Sequence, residues 1–444
     1  INITSFMLLR HGKVLCEASY EPYDATQLRT VYSLSKTFTS MAVGIAAGEG
    51  KIDLDEKIID LFAAEIENGK IQVGKELDSL TVRHLLRMST GQEKEPGGSD
   101  CWDDMVSAFL REPFHEMPGE VFRYNSIATY MLSESLKKKG IDLEHYLEEK
   151  LLTPMGISGT RWLRDPKGIC VGGFGFSLYP EVIAKLGQMI LQGGIWNGIQ
   201  LVPKDYIDMA TSKQIENGDD PDSDWAQGYG YQMWRCRHNA VRGDGMYGQF
   251  CIIHKETDTV LAMTAVTSDM QGEMNAYYDE VLLKYQDEPL SEDEKTMEVL
   301  KKRLNELHYV RPLPEDDGSA VPDAFKKINL SLTSFFDLSL NIEGNMLTLT
   351  GKDGEIWYRA ERGCWSKISR KVHCSPFYTE KDSMDTPVIG AWGVKNGVLT
   401  IRVYEIEFLE EDTLTLTEAE DGIHVSFANT TIPSNPRDYV KKVI

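Results

Sequence analysis

The chain has 444 residues, 41% of them hydrophobic, and a formal net charge of −22 from 69 acidic against 47 basic side chains. That length exceeds what one ordinary core holds, so two domains are expected. No apolar run is long enough to span a bilayer, and the charge argues against nucleic acid or an anionic membrane as partner. Seven scattered cysteines (Cys16, Cys101, Cys170, Cys236, Cys251, Cys364 and Cys374) form no Cys-x-x-Cys pair. Their odd number favours reduced thiols over a disulfide framework or zinc site, and so a cytoplasmic location. The chain begins at Ile1 without a methionine, which leaves a preceding signal peptide open.

Phe6 to Arg10 and Val14 to Ala18 flank His11-Gly12-Lys13, which predicts a β-hairpin. A helix follows from Thr30-Val31-Tyr32-Ser33-Leu34-Ser35-Lys36. Its face repeats at Phe38, Met41, Ala42, Ile45 and Ala46, and Gly48 and Gly50 end it. Ser33 and Lys36 are three apart on that helix start, so hydroxyl and amine can meet. A serine nucleophile needs a neighbouring base. A half-buried lysine can lose enough of its pKa to serve, and the helix dipole favours an oxyanion there. Ser-x-x-Lys alone is weak, and it recurs at Ser135-Leu136-Lys137-Lys138, which reads as a solvated helix C-terminus. On the motif alone, an N-cap serine with a surface lysine is the stronger interpretation.

Further along, Asp53-Leu54-Asp55 is expected to cap a short helix through Ile59, Leu61 and Phe62. Thr81 to Gly91 predicts another short helix, with His84 as a core or capping histidine rather than a catalytic one. Pro118-Gly119-Glu120 is a turn. Tyr124 stands just before a helix through Tyr130, Met131 and Leu132, where its phenol either points into a cleft or is buried with one hydrogen bond. Gly172 to Gly175 is a loop before a helix from about Pro180 to Leu191. Tyr229 to Trp234, Phe250 to His254 and Val260 to Ala265 predict antiparallel strands closed by a helix from about Met274 to Tyr285. The first domain therefore spans residues 1–285 and draws its strands from both ends. Residues 286–325 are acidic and proline-bearing, a linker with one charged helix near Glu292 to Leu307. Residues 326–444 form short alternating strands with turns at Gly344-Asn345 and Lys395-Asn396-Gly397, a small antiparallel β domain.

Arg242-Gly243-Asp244-Gly245-Met246-Tyr247-Gly248-Gln249-Phe250 contains a literal Gly-x-Gly-x-x-Gly. A strand follows it rather than a helix, so a dinucleotide site is rejected. There is no Gly-x-Ser-x-Gly elbow and no His-Glu-x-x-His. No cofactor and no metal are expected.

The order of Ser33-x-x-Lys36 after an opening hairpin, Tyr124 before a mid-chain helix, and a Gly-rich strand late in the domain resembles the serine β-lactamase and penicillin-binding-protein superfamily. Within it the chain resembles the class C-type esterases, D-amino-acid peptidases and amidases. The flanks agree: Gly50-Lys51-Ile52-Asp53-Leu54-Asp55, His84-Leu85-Leu86 with Ser89-Thr90-Gly91, and Pro118-Gly119 with Phe122-Arg123-Tyr124. The C-terminal β domain resembles the lipocalin-like appendages of some members.

The resemblance implies an α+β fold, an antiparallel sheet flanked by helices with a helical lobe, plus the small all-β domain. It implies a serine hydrolase with Ser33 acylated, Lys36 as helper base and Tyr124 moving protons. The backbone N–H groups of Met246 and Ser33 would form the oxyanion hole. Asn125, Ser126, Arg242, Asp244 and Gly245 would contact a small-molecule or peptide substrate. Two departures stand out. The family's Tyr-x-Asn is here Tyr124-Asn125-Ser126, and Gly243 and Asp244 replace the usual cation and hydroxyl of the third motif. Arg242 either neutralises Asp244, the ordinary outcome for neighbours sharing a strand face, or replaces the missing cation. Neutral or cationic substrates are therefore expected. The alternatives are a β-lactamase or D-Ala-D-Ala carboxypeptidase, and a non-catalytic ligand-binding protein on the same scaffold. Oligomeric state is not legible.

Overall fold

The opening hairpin joins β1 (Ile3–Arg10) to β2 (Lys13–Ser19) through His11 and Gly12, both at positive φ as a two-residue turn requires. On its other edge β1 pairs with a strand from far along the chain, placing Phe6 opposite Met263 and Leu8 opposite Leu261. The later strands are β3 (Trp234–Arg235), β4 (Val241–Gly245), β5 (Gln249–His254) and β6 (Thr259–Ala265). Together they make a six-stranded antiparallel sheet in the order β2-β1-β6-β5-β4-β3. Both ends of the first unit thus supply the sheet, and most of its helices are inserted between.

This computed structural model describes residues 2–97, 99–286, 293–309, 313–333, 336–351, 354–372, 384–429 and 437–441. The chain divides into two compact units, Ile1–Leu307 and His308–Ile444.

In the first unit, α1 (Ser35–Gly48) follows a single 3-10 turn, Tyr32–Leu34. It is buried on nearly every side from Ser35 to Ala46, as a central helix must be. Phe38 meets the edge of Phe176 at 4.9 Å, and Trp162 stacks on Phe176 at 4.2 Å. Next come α2 (Val82–Leu86), α3 (Ser126–Lys138) and α4 (Pro180–Leu191). Strand alternation splits the sheet's apolar residues between two faces. On one face α4 approaches so closely that a Cβ on Gly187 would lie 2.5 Å from Val260 Cγ1. On the other, Phe250, Ile252, Leu261 and Met263 pack against Met274, Tyr277 and Tyr278 of α5 (Met270–Glu280).

Several expectations need correction. The helix near Asp53 is only Ile58–Leu61, and Asp53 instead closes a local turn by accepting from the Asp55 N–H at 2.9 Å. Tyr229 to Trp234 is not one strand. Gln232 sits at φ 59°, and the N–H groups of Gly230, Tyr231 and Gln232 bond to Met233, Ala210 and Leu86 rather than to a ladder partner. The closing helix starts four residues early, at Met270, and gives way to a 3-10 turn, Leu282–Lys284. Ser135, in the second Ser-x-x-Lys, faces the core and donates to the Met131 carbonyl at 2.6 Å, while that motif's Lys138 is exposed and pairs with Glu65. The expectation for His84 holds, by contrast: it completes a capping box on α2, its Nδ1 accepting from the Thr81 N–H at 3.1 Å, and burial pushes its pKa down to about 4, keeping it neutral.

The charged helix of the expected linker is Glu294–Asn305 and belongs to the first unit; Glu292 lies outside the described residues. The second unit is all-β. Strands Lys327–Thr333 to Ile356–Glu361 form a four-stranded antiparallel meander, and Ser366–Val372 to Arg437–Lys441 a six-stranded one. Asn396 and Gly397, both at positive φ, make the expected tight turn. Tyr358, Trp392, Ile401 and Leu416 lie in its core, and the Trp392 indole donates to the Ala360 carbonyl at 3.0 Å. Six cysteines are free thiols, and Cys374 lies outside the described residues. Among the described residues no helix is long and apolar enough to cross a membrane.

Candidate active site

Four segments meet at the start of α1: the 3-10 turn itself, the N-terminus of α3, the Gly172-Gly173 loop and the end of β4. Each is brought there by a local requirement of the sequence. Tyr32, at φ 47°, turns the chain so that Ser33 is presented partly exposed while Lys36, one turn on, is buried. Asn125 caps α3, its Oδ1 accepting from the Ala128 N–H at 3.0 Å, which fixes Tyr124 just outside the helix and Ser126 at its first turn. Gly173 lacks a side chain where a Cβ would lie 2.7 Å from the Ser126 carbonyl oxygen, so its loop reaches inward.

The Lys36 Nζ is 3.0 Å from Ser33 Oγ, 3.1 Å from Ser126 Oγ and 2.7 Å from the Gly173 carbonyl oxygen. It also lies 4.9 Å from the centre of the Tyr124 ring. Burial lowers its pKa to about 7, against the carboxylates of Glu95 and Asp244, which act to raise it. A carbonyl can only accept, and Ser126 Oγ can also accept. In the neutral amine, two N–H bonds therefore go to Gly173 and Ser126, and the lone pair is left for the Ser33 hydroxyl. Tyr124 stacks on Trp234, with ring centres 5.5 Å apart. Burial, seconded by the Asp244 charge, raises the phenol's pKa well above 10, while a side-chain hydrogen bond with Ser33 works the other way. The phenol is thus the resting form.

β4 lies against the backbone of residues 31–34. A Cβ on Gly245 would sit 2.1 Å from the Val31 carbonyl oxygen, and one on Gly243 would sit 2.4 Å from Leu34 Cδ1 and 2.6 Å from Thr37 Oγ1. Only glycine fits at 245, and the contact brings the Met246 backbone beside the Ser33 turn. Gly245→Ala should push β4 away and lower kcat by about 10²-fold with a smaller change in KM, the scale of losing one oxyanion donor. Steady-state kinetics on the variant check this, and an unchanged kcat would show that the spacing is irrelevant to turnover.

Of the residues expected at the site, Ser33, Lys36, Tyr124, Ser126 and the Gly245-Met246 backbone are brought together. Asn125 is not a substrate contact. It is 2% exposed, and besides its cap it donates to Gln92 at 3.3 Å. Arg242 is not an anchor either. It is fully buried, donates to Asp244 Oδ2 at 2.8 and 3.1 Å and to the Asp224 carbonyl at 2.7 Å, and lies 4.3 Å from the centre of the Trp225 ring. It neutralises Asp244, whose side chain is itself only 9% exposed. The sequence-based expectation missed the Gly173 carbonyl, Trp234 and Glu95, whose Oε1 accepts from the Ser126 N–H at 3.0 Å. Only the Gly-Gly run at 172–173 carried a signal, since adjacent glycines mark a close backbone approach. Among the described residues no His, Cys, Asp and Glu side chains group as a metal site would require.

An antiparallel sheet with a helical lobe and a Ser-x-x-Lys turn at their junction defines a β-lactamase/transpeptidase-like fold. The Beta-lactamase family model matches residues 4–284, and the chain belongs to that family. Among solved structures, a Bacillus anthracis protein provisionally described as a 6-aminohexanoate-dimer hydrolase is similar over 64% of this chain and 78% of its own, at 20% identity and a TM-score of 0.53. The octameric penicillin-binding protein homologue from Pyrococcus abyssi is similar over 93% of this chain and 94% of its own, at 17% identity and a TM-score of 0.51. EstCE1, a hydrolase with promiscuous acyltransferase activity, is similar over 61% of this chain and 90% of its own, at 14% identity and a TM-score of 0.51. The comparison with curated proteins gives no match.

Proposed function

We propose that the chain is a serine hydrolase that cleaves ester or amide bonds through an acyl-enzyme on Ser33. The observation that carries it is the buried Lys36 amine, 3.0 Å from Ser33 Oγ with its pKa lowered to about 7. A lysine with that pKa supplies a neutral base at physiological pH beside the partly exposed Ser33 hydroxyl. In acylation, Ser33 Oγ attacks the carbonyl carbon and its proton passes to Lys36. The N–H groups of Ser33 and Met246 hold the oxyanion. As the scissile bond breaks, the Tyr124 phenol gives its proton to the leaving group, and the proton held by Lys36 replaces it. Water then attacks the ester, its proton is relayed through the same pair, and Ser33 regains a hydroxyl. The nucleophile, the base, the phenol and the oxyanion N–H donors of this path all belong to the first unit.

Two measurements test this. A fluorophosphonate probe should add one phosphonyl group to the peptide containing Ser33. The kcat/KM of any turned-over ester should rise with pH and level off above about 7, because protonated Lys36 cannot accept a proton. No covalent adduct would favour the non-catalytic alternative on the same fold, and a rate falling as pH rises through 7 would remove neutral Lys36 as the base.

A further inference from the structure

Among the described residues of the sequence-predicted site, neither cation, Lys36 or Arg242, is free to receive a substrate carboxylate. Gly243 holds the place where the third motif would carry one, and its Cβ space is filled by Leu34 and Thr37. Arg242 is buried and bound to Asp244. Lys36 is enclosed by Ser33, Ser126, Gly173 and the Tyr124 ring. Glu95, by contrast, is exposed and makes no ion pair among the described residues, and its carboxylate is fixed over the first turn of α3 by the Ser126 N–H at 3.0 Å. Ser126 Oγ in turn touches Lys36, so Glu95 stands one residue from the reacting groups. Its charge is felt at both Lys36 and Tyr124.

We propose that Glu95 is a specificity-determining residue that selects substrates carrying a cationic group, such as a free amine, on the part of the molecule lying over the α3 N-terminus, and rejects those with a carboxylate there. This rests on the acyl-enzyme reading of Ser33. The helix end alone would favour an anion. Glu95 already occupies that end, and it converts a place suited to a carboxylate into one that repels it. One oxygen of Glu95 is held by the backbone, which pre-orients the other for an ammonium. Asp244 does not compete for that role, because Arg242 compensates it. A partly exposed carboxylate–ammonium pair gives a modest, salt-sensitive preference rather than absolute selection.

The test uses three fluorophosphonates of equal length bearing a quaternary ammonium, a neutral methyl ester or a carboxylate at the far end. Second-order labelling rates of Ser33 in the full-length protein should rank cationic, neutral, anionic, with a gap of roughly 5–10-fold per step at low salt that shrinks in 0.5 M salt. Glu95→Gln keeps an acceptor for the Ser126 N–H and should bring the three rates to within about 2-fold of one another. The variant should also shift the pH midpoint of labelling by the neutral probe downward. Of the charged groups facing Lys36, Glu95 and Asp244, removal of Glu95 takes away one that favours the protonated amine, while the Arg242-bound Asp244 and the Tyr124 phenol are unchanged. Equal rates in the wild type, fastest labelling by the anionic probe, or an unchanged ranking in Glu95→Gln would overturn the selectivity while leaving Ser33 as nucleophile. Failure of all three probes to label Ser33 would overturn the acyl-enzyme reading and this inference with it.

Discussion

Ser33→Ala should abolish covalent labelling and lower turnover of any ester substrate by at least about 10⁴-fold, the scale expected when a serine nucleophile is removed. The protein itself remains folded. Ser33 is partly exposed, and without its Oγ the Lys36 amine keeps Ser126 Oγ and the Gly173 carbonyl as partners. Loss of one hydrogen bond costs about 1 kcal/mol, so the denaturation midpoint should move little. Labelling, turnover and urea unfolding on the same preparation separate a chemical effect from a folding one. A variant that turns over at the wild-type rate removes Ser33 from the mechanism.

Lys36→Met is expected to lower kcat/KM by about 10³-fold or more without lowering stability at pH 6. The amine is 1% exposed, and its folded pKa of about 7 lies below the ordinary 10.5. The unfolded chain therefore binds more protons than the folded one between those values. Wild-type stability should rise with pH across that window and be flat below about 7 as far as this group is concerned. The gap corresponds to about 4–5 kcal/mol opposing folding below pH 7. Methionine removes that opposition but leaves the Gly173 carbonyl without its partner, a loss of about 1–3 kcal/mol. Urea unfolding at pH 6 and pH 9 checks the sign: the wild type should gain stability at the higher pH through this group, and Lys36→Met should not. Tyr124→Phe combined with Lys36→Met should be little worse than the worse single variant, because both serve one proton path. Fully multiplicative losses would separate the two roles.

What the sequence showed and what it hid divide along physical lines. The hairpin and the Ser33–Lys36 pair are local: turn residues and three-residue spacing identify them, whereas Asn125, expected at the substrate, is the α3 cap. The Pro180–Leu191 helix matched to the residue because proline starts it and Gln192-Gly193-Gly194 ends it. Tyr229 to Trp234 misled because alternation also arises where each side chain answers a different neighbour; Gln232 alone bonds to Leu85, Leu86 and Thr129. Glu95 was invisible because its partner is a backbone N–H 31 residues away, and the Gly173 carbonyl because a backbone acceptor leaves no residue signature. Arg242 was correctly weighed as the partner of Asp244, but its complete burial depended on Trp225, Trp234 and Phe250 converging on it.

The filled space at Gly243 also bears on how this enzyme could change. A lysine there, the shortest route to a carboxylate-binding third motif, would drive its Cβ into Leu34 and Thr37 at the foot of the nucleophile helix. Room would have to be made first. Trimming buried Leu34 to Ala is itself expected to cost about 2–5 kcal/mol, a large part of a typical domain's margin. Neither step is tolerable alone, and each helps only after the other. A carboxylate-recognising version of this site is therefore separated from this chain by two coupled changes, so that the proposed charge preference would be guarded by packing under the site as well as by the residues that line it.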